Sequence, residues 1–170
     1  RGLHAQATLG NNVIIFGGYW GTVYRNDVWS FATTNNSWAK LSSDLSPTPS
    51  NHFPSPRYSY LPTAVGTKIV TFGGSTNEVW AFDPSLNTWT LLKANNPSGT
   101  VGVDYPSARI GHAQSAIGTK LIVFGGAYDT YHNDVWSFDV ESATWAKLKD
   151  NDPAGTANVD YPSRQIGRAH

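Results

Sequence analysis

The chain has 170 residues, no cysteine and no methionine, and 12 Lys+Arg balance 12 Asp+Glu to a formal charge of zero. The lack of cysteine excludes a disulfide framework, a thiolate metal site and a thiol nucleophile. The neutral balance leaves no basic footprint for nucleic acid or an anionic membrane, and no apolar run approaches the ~20 residues of a spanning helix.

Taken in order, the chain repeats itself three times. The first copy opens at Arg1 and carries Ile14-Ile-Phe-Gly-Gly18, Asp27-Val-Trp-Ser-Phe31 and Ser37-Trp-Ala-Lys-Leu41. The second opens at Arg57 with Val70-Thr-Phe-Gly-Gly74, Glu78-Val-Trp-Ala-Phe-Asp83 and Thr88-Trp-Thr-Leu-Leu92. The third opens at Arg109 with Leu121-Ile-Val-Phe-Gly-Gly126, Asp134-Val-Trp-Ser-Phe-Asp139 and Thr144-Trp-Ala-Lys-Leu148. From Arg to the Phe before the glycines is fifteen residues each time, and from the first Trp to the second is nine, which marks both pieces as rigid scaffold. Between that Phe and the first Trp the count is thirteen, eight and twelve, so length variation concentrates after the double glycine. A repeat of 56 and then 52 residues is a supersecondary unit that buries its apolar faces by stacking on its neighbours.

Each copy reads as four short strands. The first covers 4–9, 59–65 and 112–117, and Gly66-Thr67 and Gly118-Thr119 supply the tight turn to the second. The second strand is the apolar run into Phe-Gly-Gly, whose lack of alternation suits burial on both faces. The third spans 28–31, 79–82 and 135–138; Asn35-Asn36, Pro84 and Asn87 turn the chain into a fourth strand bearing Trp38, Trp89 or Trp145. Pro62 falls in a first strand, which is tolerable if that strand is the edge facing a central channel. Four antiparallel strands per unit with recurring aromatics describe propeller blades. The expected divisions are 1–56, 57–108 and 109–163, one blade each with its connector. Asp160 to His170 repeats Asp104 to Gln114, so a further blade is expected to start at 164–170, making the chain a segment of a longer propeller.

These residues resemble the Kelch repeat, as in the central domain of galactose oxidase: a double glycine closing the second strand, an aromatic in the third, and a Trp opening the fourth. The Pro-x-x-Arg or Pro-Arg starts at Pro56-Arg57 and Pro106-Ser-Ala-Arg109 are also similar to the family, and the resemblance covers essentially the whole chain. It departs at Gln165, where Arg is expected, at Ala32, where the other copies have Asp83 and Asp139, and in long connectors at 93–107 and 149–163. The resemblance implies an all-β propeller closing at six or seven blades. Three blades leave apolar ends to be covered by more blades of the same chain or by a second copy. The recurring landmarks then become structural: Gly17, Gly18, Gly73, Gly74, Gly125 and Gly126, with Trp29, Trp38, Trp80, Trp89, Trp136 and Trp145.

Because strands alternate in direction, the loops joining strands two to three and four to one emerge on one face, and these are the long ones. They carry Trp20, Tyr24, Arg25, Tyr128, Tyr131 and His132, the residue types that anchor interfaces, with packing under their own loops as the competing reading. Arg57 and Arg109 are placed at the channel mouth as partner contacts, against pairing to backbone carbonyls or to an Asp of the neighbouring blade. The recurring Val103-Asp-Tyr-Pro106 and Val159-Asp-Tyr-Pro162 suggest a shared packing task. His4 and His112 share their place with Tyr60, which argues against metal ligation. No Gly-x-Ser-x-Gly, phosphate-binding glycine loop or His-x-x-x-His is present; the cysteine-linked tyrosine of galactose oxidase and the iron-binding pattern of nitrile-specifier proteins are missing too. The reading is a non-catalytic scaffold that binds a protein partner through the long-loop face and needs no cofactor. Two alternatives stand beside it: a secreted assembly or glycan-binding propeller, suggested by the sequon Asn35-Asn36-Ser37 with glycan on Asn35, and part of a Kelch-like enzyme whose site lies in other blades.

Overall fold

The structure, a computed structural model, describes residues 2, 4–43, 53–54 and 61–151. Described residues form twelve strands and no helix: β1 (Ala5–Leu9), β2 (Asn12–Trp20), β3 (Val23–Ala32), β4 (Ser37–Ser42), β5 (Leu61–Val65), β6 (Lys68–Phe72), β7 (Val79–Asp83), β8 (Thr88–Lys93), β9 (Ala113–Ile117), β10 (Lys120–Ala127), β11 (Tyr131–Asp139) and β12 (Thr144–Lys149). They make three antiparallel sheets, each ordered as in the chain: β1-β2-β3-β4, β5-β6-β7-β8 and β9-β10-β11-β12. β1 lies beside β5 and β5 beside β9, so the first strand of each blade is innermost. Pro62 therefore sits in an edge strand, where its missing N–H removes no ladder bond. The segment expected to start a further blade, 164–170, lies outside the described residues, as do Arg1 and Arg57.

The core lies between blades rather than within them. One cluster joins Ala5, Ile14, Phe16 and Val28 of the first blade to Ile69 and Phe82 of the second; the other joins Val65, Val70, Phe72, Val79 and Ala81 to Leu121, Val123, Trp136 and Phe138 of the third. Successive strand residues point to opposite faces, so Ile69 serves one joint and Val70 the next. That is why the second-strand runs are apolar without alternation.

Both joints use the same stitch. Phe16 meets Trp89 at 4.7 Å between ring centroids, and Phe72 meets Trp145 at 5.0 Å: the Phe before the double glycine of one blade seats on the fourth-strand Trp of the next. At the two ends the pattern stops. Trp38 is 54% exposed over an open hollow lined by His4, Ile15 and Trp29, and Phe124 is only half-buried where Phe16 and Phe72 are sealed. Trp38, expected as core, is thus a surface residue of this array: its own blade's Phe31 lies against it at 5.0 Å, but among the described residues no Phe of another blade seats on it.

The glycines permit the close approach. Gly73 sits at φ 88°, and a Cβ there would stand 2.6 Å from the Arg109 carbonyl oxygen and 2.8 Å from the His112 ring of the next blade. Gly126, at φ 91°, faces the start of its own first strand, with the Ile110 oxygen 2.9 Å from where a Cβ would lie. Neither place admits a side chain.

Candidate functional site

In the first and third blades the stretch after the double glycine is not a loop. A register shift at Phe16/Gly18 and at Phe124/Gly126 lets the ladder resume, so β2 and β3 continue to Trp20↔Val23, and β10 and β11 to Ala127↔Tyr131. The stretches 19–26 and 127–133, expected as loops, are mostly projecting β-ribbons closed by the short turns Gly21-Thr22 and Tyr128-Asp129-Thr130. Each is braced by the chain entering the blade: Gly2 and Tyr19 exchange two backbone bonds of 2.8 Å, and Ile110 and Ala127 exchange bonds of 2.9 and 3.0 Å. The second blade has too few residues for this, and β6 stops at Phe72. The middle of the array is therefore low between two raised ribbons.

The ribbons present their aromatics outward. Trp20 is 67% exposed, Tyr128 57%, Tyr131 51% and Tyr24 48%, with Tyr24 ringed against Tyr19 at 5.5 Å. Arg25 and His132 are half-buried at the feet of the two ribbons. From the connector, Val101 and Val103 add exposed apolar surface.

The connector itself is tied down. The buried Asn77 donates its backbone N–H to Asn95 Oδ1 (3.1 Å), accepts from the Asn96 N–H (2.7 Å), and its Nδ2 donates to the Pro106 carbonyl (3.3 Å). In the third blade the Asn133 N–H donates to Asn151 Oδ1 (2.8 Å). Tyr105 of the recurring Val-Asp-Tyr-Pro element is buried and Asp104 accepts the Thr100 N–H at 2.7 Å, a packing arrangement. These bonds tie loop and connector together.

Arg109 does not belong to this surface. It is 1% exposed; its Nη1 donates to Asp134 Oδ1 at 2.6 Å and to the Gly125 carbonyl at 3.0 Å, and Nη2 donates to Asp134 Oδ2 at 3.2 Å. Asp134 also accepts the Trp136 indole N–H (2.8 Å). Burial alone would raise the Asp134 pKa, but the Arg109 bond and charge, with the indole, outweigh it and hold the carboxyl below 3.8. The placement at the channel mouth is corrected: the guanidinium is spent inside its own blade. The carboxylate two residues before each third-strand Trp recurs as an acceptor for that indole, Asp27 to Trp29 at 2.8 Å and Glu78 to Trp80 at 3.0 Å. This role was not anticipated, though the Asp-x-Trp and Glu-x-Trp spacing signalled it.

One pair has the look of a catalytic dyad: Ser107 Oγ lies 3.3 Å from His132 Nε2. The tautomer is wrong for general-base work. Asn151 Oδ1 already accepts the Asn133 N–H, so its Nδ2 faces His132 Nδ1 at 3.1 Å, which must be the bare nitrogen; Nε2 then carries the proton and donates toward Ser107. A base for Ser107 would need the reverse. Among the described residues no group of three His, Asp or Glu is placed to hold a metal ion, and no helix is long and apolar enough to cross a membrane.

A family model for the KLHDC2/KLHL20/DRC7 Kelch-repeats domain matches residues 1–159. The chain belongs to the Kelch-repeat family. Its Kelch repeats are similar to those of bovine (Bos taurus) Kelch domain-containing protein 3, 28% identical over 85% of this chain and 40% of that protein. They are also similar to human leucine-zipper-like transcriptional regulator 1, 27% identical over 96% and 20%, and to the Rho GTPase-activating protein gacHH of Dictyostelium discoideum, 31% identical over 75% and 8%. The chain thus spans between 8% and 40% of the length of these Kelch relatives. Kelch domains commonly serve protein–protein interaction.

Proposed function

We propose that the chain is a non-catalytic part of a Kelch propeller that holds a protein partner against the face carrying the two raised ribbons. The observation that carries this reading is the grouping of Trp20, Tyr24, Tyr128 and Tyr131, each 48–67% exposed, on ribbons braced from below. Trp and Tyr combine large apolar area with a polar end and lose little freedom on contact. Arg25 and His132 stand beside these aromatics; Arg57 lies outside the described residues.

In the same reading each division, 1–56, 57–108 and 109–163, is one blade, and the uncovered Trp38 and Phe124 faces are met by further blades or by a second copy through the stitch seen at both internal joints. The test is affinity capture from the native source with wild-type chain, Trp20→Ala/Tyr131→Ala, and Leu86→Ala on the opposite face. We expect the ribbon double variant to lose the captured protein while keeping its melting temperature, and Leu86→Ala to retain it. Equal capture by all three rejects this face as the docking surface.

The secreted alternative rests on Asn35, exposed on the β3–β4 turn with the Ser37 hydroxyl donating to its Oδ1 at 2.7 Å. A mass shift of the native protein on treatment with a glycosidase that removes N-linked glycans would favour it.

A further inference from the structure

His132 stands where the third-blade ribbon, which carries Tyr131 and Tyr128, meets the connector before the blade and the chain after it. Three interactions meet there. Nε2–H reaches Ser107 Oγ at 3.3 Å and Thr130 Oγ1 at 3.5 Å, and bare Nδ1 accepts from Asn151 Nδ2 at 3.1 Å. Asn151 in turn holds the Asn133 N–H through Oδ1 at 2.8 Å. A single neutral tautomer satisfies all of them.

We propose that His132 makes the third-blade wall of the docking face acid-responsive, protonation of Nδ1 uncoupling the ribbon from Asn151. The inference rests on the docking reading above and adds its regulation. With a proton on Nδ1, two donors oppose each other across 3.1 Å. If the Asn151 amide turns to offer Oδ1 to the imidazolium, it turns Nδ2 toward the Asn133 N–H, and that bond is lost instead. Either way one bond of the tie breaks, and the foot of the aromatic ribbon loosens.

Among the described residues the nearby charges do not oppose this. Arg109, from the connector, and Asp134, on the histidine's own strand, form an ion pair of 2.6 Å, and the Asp134 carboxylate and a charged His132 attract each other. Asp150, next to Asn151, is engaged by Lys147 at 2.6 Å, and Asp129 and Tyr131 are exposed. Imidazole is the side chain whose ordinary titration falls between about pH 5 and 8.

The second blade supplies an internal control. There the Asn77 N–H is held by Asn95 Oδ1 at 3.1 Å in the same way, but Thr76 occupies the place of His132 and donates to Glu78. That tie contains no imidazole.

The experiment is amide hydrogen exchange by NMR on the native chain, corrected for intrinsic rates, at about pH 7.5 and about pH 5.5. We expect the Asn133 amide to lose roughly tenfold in protection on acidification, the effect of one hydrogen bond, while Asn77 holds. His132→Thr, the second-blade solution, and His132→Gln are expected to remove the pH dependence. Equal behaviour of Asn133 and Asn77 in the wild-type chain overturns the inference, and so does a pH-dependent loss that persists in both variants. The outcome is separable from that of the docking reading: if Asn133 switches but capture ignores Tyr131→Ala, the docking face is wrong and the switch stands.

Discussion

Replacing His112 by phenylalanine should flatten the stability of this protein between pH 6.5 and pH 4. His112 is 1% exposed at the joint of the second and third blades, its ring 5.4 Å from Phe72, with neither nitrogen hydrogen-bonded among the described residues. Burial first, and the Arg109 charge second, push its pKa from 6.5 down to about 4. The folded chain therefore refuses a proton that the unfolded chain accepts. Stability from this source is complete above about pH 6.5, declines as pH falls toward 4, and changes no further below that. At about 1.4 kcal/mol per pH unit, the loss across the window is on the order of 3 kcal/mol. Phenylalanine keeps a flat ring against Phe72 and has nothing to titrate. Urea unfolding at half-unit steps from pH 7.5 to 4 should give wild-type midpoints that slide downward and His112→Phe midpoints that slide clearly less, keeping only the smaller loss tied to His132. A variant that slides as steeply as the wild type would show that this imidazole is not the linked group. Asp134 does not confuse the window, because its lowered pKa confines its own loss to below about 3.8.

Other perturbations have equally definite outcomes. Phe72→Ala empties a fully sealed site and should lower stability by ~3–5 kcal/mol in urea unfolding; combined with Trp145→Ala the two losses should be less than additive, since the rings are in contact. Arg109→Met leaves Asp134 buried without its cation and should lower stability by ~3–5 kcal/mol, while adding Asp134→Asn should recover a large part of that. Ala143 occupies φ 52°, where the sister blades use Asn36 at 55° and Asn87 at 54°. Ala143→Asn should therefore raise stability by about 0.5–1 kcal/mol, read as a higher melting temperature.

The sheets were legible because their landmarks are spaced by physics. The nine-residue spacing of paired Trp spans two strands and a turn, and glycine is needed wherever an entering chain presses on the backbone, as Arg109 and His112 press on Gly73 and Ile110 on Gly126. The ribbons were missed although Gly21-Thr22 repeats the Gly-Thr signal of Gly66-Thr67 and Gly118-Thr119; the bulge at the glycines hid the resumed ladder. Arg109 was misplaced for a different reason. Its partner Asp134 is 25 residues away, and nothing local distinguishes an arginine at a channel mouth from one turned inward. Trp38 shows the reverse limit: it matches Trp89 and Trp145 in sequence, but among the described residues no Phe of another blade seats on it as Phe16 and Phe72 seat on those two.

The Phe-to-Trp stitch also gives the array a direction. Each blade offers a knob on one side and a socket on the other, and the joint is chemically the same wherever it occurs. Such a coupling is interchangeable: with the middle blade excised, Phe16 would meet Trp145 in place of Trp89, the contact Trp145 already makes with Phe72. Propellers assembled this way can lengthen or shorten by whole units without redesigning an interface. Their blades remain free to differ on the ribbons, where the second blade has no projection and the first and third carry one.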